Sequence, residues 1–256
     1  MTPSENLMTT ARPGPSPATP PGRTIAAKIV TQCLRLALVL WPIVIAVTLG
    51  VPTLVDRLGG HTGSIYPGVA QAPRWFLFVI AIVLVAEGLG PHVALGMTRR
   101  SFARQHAAGL AVVAAVYGAL SLAVTLLERW YFDQLGWPLE TVYGQRPVPT
   151  DPWPLVWVDH AVLLAVFALS GLAVGAVYYR WRGWIGTLAL PFTVGPVFLA
   201  ATALVHVDAA DTAAVLDLDG LPYVAGLGVA VVVGGWFWGI ARLALRAAAI
   251  RTPAST

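Results

Sequence analysis

Charge is scarce in this 256-residue chain: 11% of its residues are Asp, Glu, Lys or Arg, against 57% hydrophobic. With a mean hydropathy of +0.73, that balance excludes an ordinary soluble domain. Cysteine is scarcer still. Cys33 stands alone, which rules out an internal disulfide, a CxxC redox pair and a cysteine zinc site. It reads as a small apolar core residue. There is no GxxxxGK[ST] loop to cradle nucleotide phosphates, no HExxH helix, and no nucleophile-motif serine beside Asp159 and His160. The chain is therefore read as non-enzymatic, and any ATP hydrolysis falls to another chain. Its five histidines are dispersed, so no metal, haem or other cofactor is expected.

What the chain has instead is long apolar runs. Six of them, Leu36–Leu54, Trp75–Met97, Ala107–Leu127, Pro154–Tyr179, Trp184–Val205 and Leu221–Ala241, approach the roughly 20 residues an α-helix needs to cross a hydrocarbon core about 30 Å thick. The expectation is an all-α integral membrane protein with six transmembrane helices. Basic residues alternate across these runs. Arg12, Arg23, Lys28, Arg35, Arg99, Arg100, Arg104, Arg180, Arg182, Arg242, Arg246 and Arg251 fall on one side. Only Arg57, Arg74, Arg129 and Arg146 fall on the other, beside nearly all the acids: Asp56, Glu128, Asp133, Glu140, Asp151, Asp159, Asp208, Asp211, Asp217 and Asp219. Positive loops stay cytoplasmic, so both termini are expected inside, in a multi-pass protein of the cell membrane with the lipid bilayer as its first partner. The net charge of +4 follows this topology rule. Its cations are spread over short loops rather than gathered on one face, which argues against nucleic acid.

Residues 1–23, rich in Pro, Ser and Thr, read as a disordered cytoplasmic tail, and 24–256 as one transmembrane domain. Within Thr24–Arg35, Lys28, Gln32 and Arg35 share a helical face, while Ile25, Ile29, Val30, Cys33 and Leu34 supply apolar surface. That pattern suits an amphipathic elbow helix on the inner leaflet; a plain extension of the first span is the alternative. Gly171 and Gly175, and Ala230 and Gly234, are small pairs that permit close helix contact, within or between subunits. The fifth run holds Gly186, Pro191, Gly195 and Pro196. This predicts a kinked or broken helix where protein rather than lipid covers it. The connection Glu128–Trp153, with Trp130, Tyr131, Phe132, Trp137, Tyr143 and Trp153, reads as an interfacial aromatic belt. His206–Gly220 reads as a solvated acidic loop, because its aspartates lack EF-hand spacing.

Glu87 is the one ionisable residue well inside a run, close to its middle. An intramembrane carboxylate carries a large desolvation cost, so Glu87 is a candidate substrate or proton site. Gly88, Gly90 and Pro91 follow at once, and a helix opened there to let water reach the carboxylate is the structural alternative. The segment after it, Ala94–Gln105, predicts a tight turn at Gly96, with Thr98 as the N-cap of a short coupling helix and Arg99, Arg100 and Arg104 facing the cytoplasm. His92 and His106 are expected to flank this turn instead of sharing a helix face.

That turn, Gly96-Met97-Thr98-Arg99-Arg100 followed by Phe102, in a six-span chain of this length with an N-terminal elbow, resembles the membrane subunits of ABC-2 (type-2 exporter) permeases. The resemblance implies that Gly96, Met97, Thr98, Arg99, Arg100, Phe102 and Arg104 couple the chain to a separate ABC ATPase, present in two copies that bind ATP. It also implies a second permease subunit, identical or homologous. An ion-coupled transporter using Glu87 and a non-transporting accessory membrane protein are the alternatives; no inverted repeat between residues 36–127 and 154–241 supports the former.

Overall fold

The computed structural model describes residues 21–60, 63–139, 153–181, 183–204 and 223–246. Helices dominate: α1 (Pro21–Arg57), α2 (Tyr66–Val69), α3 (Gln71–Ala94), α4 (Arg99–Leu135), α5 (Trp153–Trp181), α6 (Gly183–Leu188), α7 (Leu190–Thr193), α8 (Gly195–Ala203) and α9 (Tyr223–Arg246). Five stretches are long and apolar enough to cross a membrane: Ile25–Arg57, Tyr66–Ala94, Arg99–Leu135, Trp153–Trp181 and Val224–Arg246.

The apolar side chains of α5 run right round the helix, and such a helix belongs in the middle of a bundle. It packs against α3, α4 and α9. In its most apolar stretch 72% of residues are buried, against 22% in α1, which leans on α4 at the periphery. Small residues set the helix spacing. A Cβ on Gly171 would fall on the carbonyl of Phe78, and one on Gly175 would lie 3.0 Å from Val85 Cβ. This pair is therefore spent inside the chain, on the α3–α5 contact. Ala230 is buried and Gly234 faces Leu169 of α5, so the second small pair is also internal.

The fifth apolar run breaks as expected, but on the surface of the bundle instead of under cover, with Leu188 and Phe192 beside the break exposed. Its pieces α6, α7 and α8 are separated at Ala189 and Val194, and Pro191 and Pro196 sit in first turns, where a missing N–H leaves no gap. The carbonyls released at the break find donors on neighbouring helices. Ser170 Oγ of α5 donates to Thr193 O, and Trp236 Nε1 of α9 donates to Phe192 O at 2.9 Å. Gly186 lies against Tyr178 near the end of α5, while Ala203 touches Gly226 near the start of α9. The broken segment thus runs along the bundle, antiparallel to α5.

Three sequence expectations are corrected. Residues 24–35 are not a separate elbow; α1 is one helix of 37 residues. Ile29, Cys33, Ala37, Trp41, Val44 and Thr48 form one unbroken buried stripe. The stripe zips onto α4 through Ile29 against Gly109 and through Tyr117 Oη, which donates to Cys33 O at 2.9 Å. Nor is there a separate coupling helix. Arg99 opens α4, another 37-residue helix, because buried Phe102, His106, Leu110, Val113 and Tyr117 continue one face without a breaker. The aromatic connection likewise begins later than expected. Trp130, Tyr131 and Phe132 belong to α4, which ends at Gly136 (φ +66°), with Trp137 packed edge-on against Phe132. The remainder of that connection (140–152), the acidic loop (205–222) and most of the N-terminal tail (1–20) lie outside the described residues.

Candidate functional site

The α3–α4 turn is closed at both ends by local hydrogen bonds. Gly96 has φ +77°, a left-handed conformation that glycine adopts without strain. Its N–H donates to Val93 O at 2.9 Å and that of Met97 to His92 O at 3.3 Å, the Schellman ending of α3. Thr98 is extended (φ −79°, ψ 148°), and its Oγ1 accepts from the Ser101 N–H at 3.1 Å, capping α4 as the sequence predicts. These bonds satisfy several of the orphan groups at the two helix ends and stiffen the turn between them.

Beneath the turn sits Phe102, fully buried. It stacks on His106 with centroids 3.8 Å apart and meets His92 edge-on at 5.2 Å. His92 and His106, expected on opposite flanks, come together around this ring, their centroids 6.4 Å apart. Phe102 therefore anchors the turn from inside instead of presenting itself to a partner. Above it, Gly96, Thr98, Arg100 and Arg104 are exposed, Met97 and Arg99 are half-buried, and Leu95 is 77% exposed.

Arg99 turns inward along the surface. Its guanidinium donates to Arg246 O at 3.2 Å, and that of Arg180 donates to Leu243 O at 3.2 Å. Both carbonyls belong to the last turn of α9, where acceptors lack helical partners and the helix dipole is negative. The start of α4 and the ends of α5 and α9 are thus tied into one basic end of the bundle. Arg100 and Arg104 make no such bond among the described residues.

Glu87 is sixteen helical steps from the start of α3 and seven from its end, or roughly 10 Å from the basic end at 1.5 Å per residue. That is nearer the end than the expected midpoint. The helix does not open at Gly88–Pro91; it continues to Ala94. Glu87 is exposed and lines a cleft of about 550 Å³ between α1 and α3, together with Gln32, Cys33, Arg35, Leu36, Ile80, Val83, Leu84 and Gly88. The cleft exists because α1 and α3 both pack on α4 and make little contact with each other.

A third polar group was missed by sequence reasoning, which left its members as separate charges at the outer ends of the apolar runs. At the far end Arg74, Glu128, Asp159 and His160 are each at most 4% exposed. Glu128 accepts from Ser64 Oγ at 2.9 Å and from the Tyr66 backbone N–H, and Tyr66 Oη donates to Ser121 O at 3.0 Å. Arg74 lies near enough to act electrostatically on Tyr66 and His160. The available signal was Ser121, Thr125 and Glu128 at i, i+4 and i+7 on one face of α4. A buried carboxylate held by such bonds is costly to unpair, so they tie α2 to α4 at that end, with Arg74 of α3 and Asp159 and His160 of α5 buried alongside. Among the described residues, no group of three or more His, Cys, Asp or Glu is placed to hold a metal ion.

The chain matches no protein-family model, no curated protein and no solved structure.

Proposed function

We propose that this chain is the membrane subunit of an ATP-driven exporter, crossing the cell membrane six times with both termini cytoplasmic. In this reading the broken α6–α8 segment is the fifth crossing. Its 21 residues would span roughly 30 Å if fully helical, and it joins the basic end of α5 to the far end, where α9 begins. The basic end faces the cytoplasm, as the Lys/Arg asymmetry requires.

The observation that carries the reading is the turn Leu95–Arg104: stiff, anchored by Phe102, and presenting Leu95, Arg100 and Arg104 outward. An apolar knob beside two cations one helical turn apart suits an acidic, partly apolar groove on an ATPase subunit, and the charges steer the encounter. Closure of two ATPase subunits on ATP would press on this turn. A rigid turn passes displacement to α3 and α4 instead of absorbing it, and Arg99 extends the push to α9. A second permease copy would complete the substrate path.

The test is co-expression with a soluble Walker-type ATPase encoded beside this chain. Co-purification that Arg100→Glu with Arg104→Glu abolishes, the membrane subunit remaining folded, supports the reading; undiminished association and transport in that double variant removes it. The ion-coupled alternative draws no support from Glu87, which opens sideways from the bundle instead of into its core.

A further inference from the structure

The turn between α3 and α4 is seated on two histidines for which the coupling role has no use. His92 and His106 are each 4% exposed, and between them they hold both the ring and the backbone of the turn. His106 stacks on Phe102 at 3.8 Å, and its Nδ1 bonds to Phe102 O at 2.9 Å. A carbonyl only accepts, so Nδ1 carries the proton, and in the neutral ring Nε2 is bare. That Nε2 lies against α3, 3.6 Å from where a Cβ on Gly88 would stand. His92 meets Phe102 edge-on at 5.2 Å and bonds to the backbone of Thr98, the residue that caps α4. Its Nε2 is buried with no hydrogen-bond partner, so the bond to Thr98 uses the other ring nitrogen.

An imidazolium is a donor at both nitrogens. On His92 the Nε2–H of that cation is a buried donor with nothing to accept it, a costly state. The charges around the pair oppose it further. On α4 they are Arg99, Arg100 and Arg104; on α5, Arg180, beside the phenols of Tyr178 and Tyr179. The end of α9 adds Arg242 and Arg246, and α1, packed on α4, adds Lys28. On α3 stands Glu87, the one carboxylate at that end among the described residues, and it opens into the cleft beside α1. Opening the turn admits water and screens these charges, so protons bind the open turn in preference to the closed one.

We propose that His92 and His106 form a proton-released latch on this turn. Neutral, they clamp Phe102 and the backbone that ends α3 and starts α4; protonated, they let Leu95–Arg104 open. The sign follows from which state takes the proton: protection of the turn is full above the ordinary imidazole range and is lost as pH falls through it. That the latch tunes ATPase coupling rests on the exporter reading, whereas the opening itself needs no partner.

The full chain alone, in lipid discs, is followed by hydrogen exchange of the Leu95–Arg104 amides at pH 7.5 and pH 5.5, with rates corrected for their intrinsic pH dependence. With an ordinary imidazole value near 6.5, each histidine kept neutral in the closed turn multiplies opening about tenfold over that interval, and the two together up to about a hundredfold. Exchange at the centre of α5 should not change. His92→Asn with His106→Asn keeps a short N–H donor on each side chain and removes the proton site, so protection should become independent of pH. Each single variant should keep about a tenfold response. Equal exchange of the turn at both pH values in the wild-type chain overturns the proposal and leaves the exporter reading standing; a full acid response in the double variant also overturns it. Where the double variant fails to fold, the wild-type chain decides alone. Opening should set in near pH 6.5, and an onset only below about pH 5, where carboxylates such as Glu87 titrate, overturns the latch.

Discussion

Charge reversal at two adjacent arginines should separate what holds the basic end together from what it offers to a partner. Arg99 donates to Arg246 O at 3.2 Å, at the negative end of the α9 dipole. A cation there contributes about 0.3–1 kcal/mol at a solvated site and an anion in its place costs a similar amount again, while a glutamate in the first turn of α4 returns a few tenths, so Arg99→Glu should destabilise by about 0.5–1.5 kcal/mol. Arg180→Glu, beside Leu243 O and itself in the last turn of α5, should cost at least as much. Arg100 is exposed, and its reversal should stay within about 0.5 kcal/mol. For a chain of this size each kcal/mol moves the midpoint by about 2–4 °C, so thermal unfolding in detergent, followed by tryptophan fluorescence, resolves the difference. The expected pattern is Arg99→Glu lowered by about 1–6 °C, Arg100→Glu unmoved in Tm, and only the latter normal in fold yet deficient in ATPase association. Equal losses of Tm at both positions, or none at Arg99 and Arg180, would refute the division of labour.

Gly171→Val should be among the most damaging substitutions, costing about 3 kcal/mol or more, because its side chain has to displace the Phe78 carbonyl; loss of the monodisperse peak on size exclusion reads it. Ser170→Ala leaves Thr193 O without its donor at the break between α7 and α8, a loss of about 1–3 kcal/mol measurable as a lower Tm. Glu128→Leu should destabilise more than Glu128→Gln, since only the amide still accepts from Ser64 Oγ; a reversed order of Tm would show that this buried group is not held by those bonds. In a Cys33→Ala background, single cysteines at Leu58 and Leu135, exposed at the far end, should react with an impermeant reagent from outside the cell, and cysteines at Leu95 and Arg104 should not. The opposite pattern inverts the topology.

What the sequence determined by itself was everything that depends on near neighbours in the chain. Runs of about twenty apolar residues, the Gly96 turn, the Thr98 cap and the proline break in the fifth run arise from contacts within a few residues, and each is found where the local chemistry demands it. Tertiary packing decided the rest. An amphipathic stretch such as 24–35 suits a membrane surface or a bundle equally; Gly109 and Tyr117, more than 70 positions away, supply the partner that makes it part of α1. Arg99 looks like any cytoplasmic arginine until α9 ends within its reach. Arg74, Glu128, Asp159 and His160 look like unrelated charges at the ends of apolar runs until α3, α4 and α5 converge on them. Glu87 reads as a midspan carboxylate until α1 and α3 part to leave it in a cleft. The physical reason is common to all four. Helical periodicity says which residues share a face, but the identity of the surface that meets that face depends on helices far apart in sequence, and only the assembled bundle supplies it.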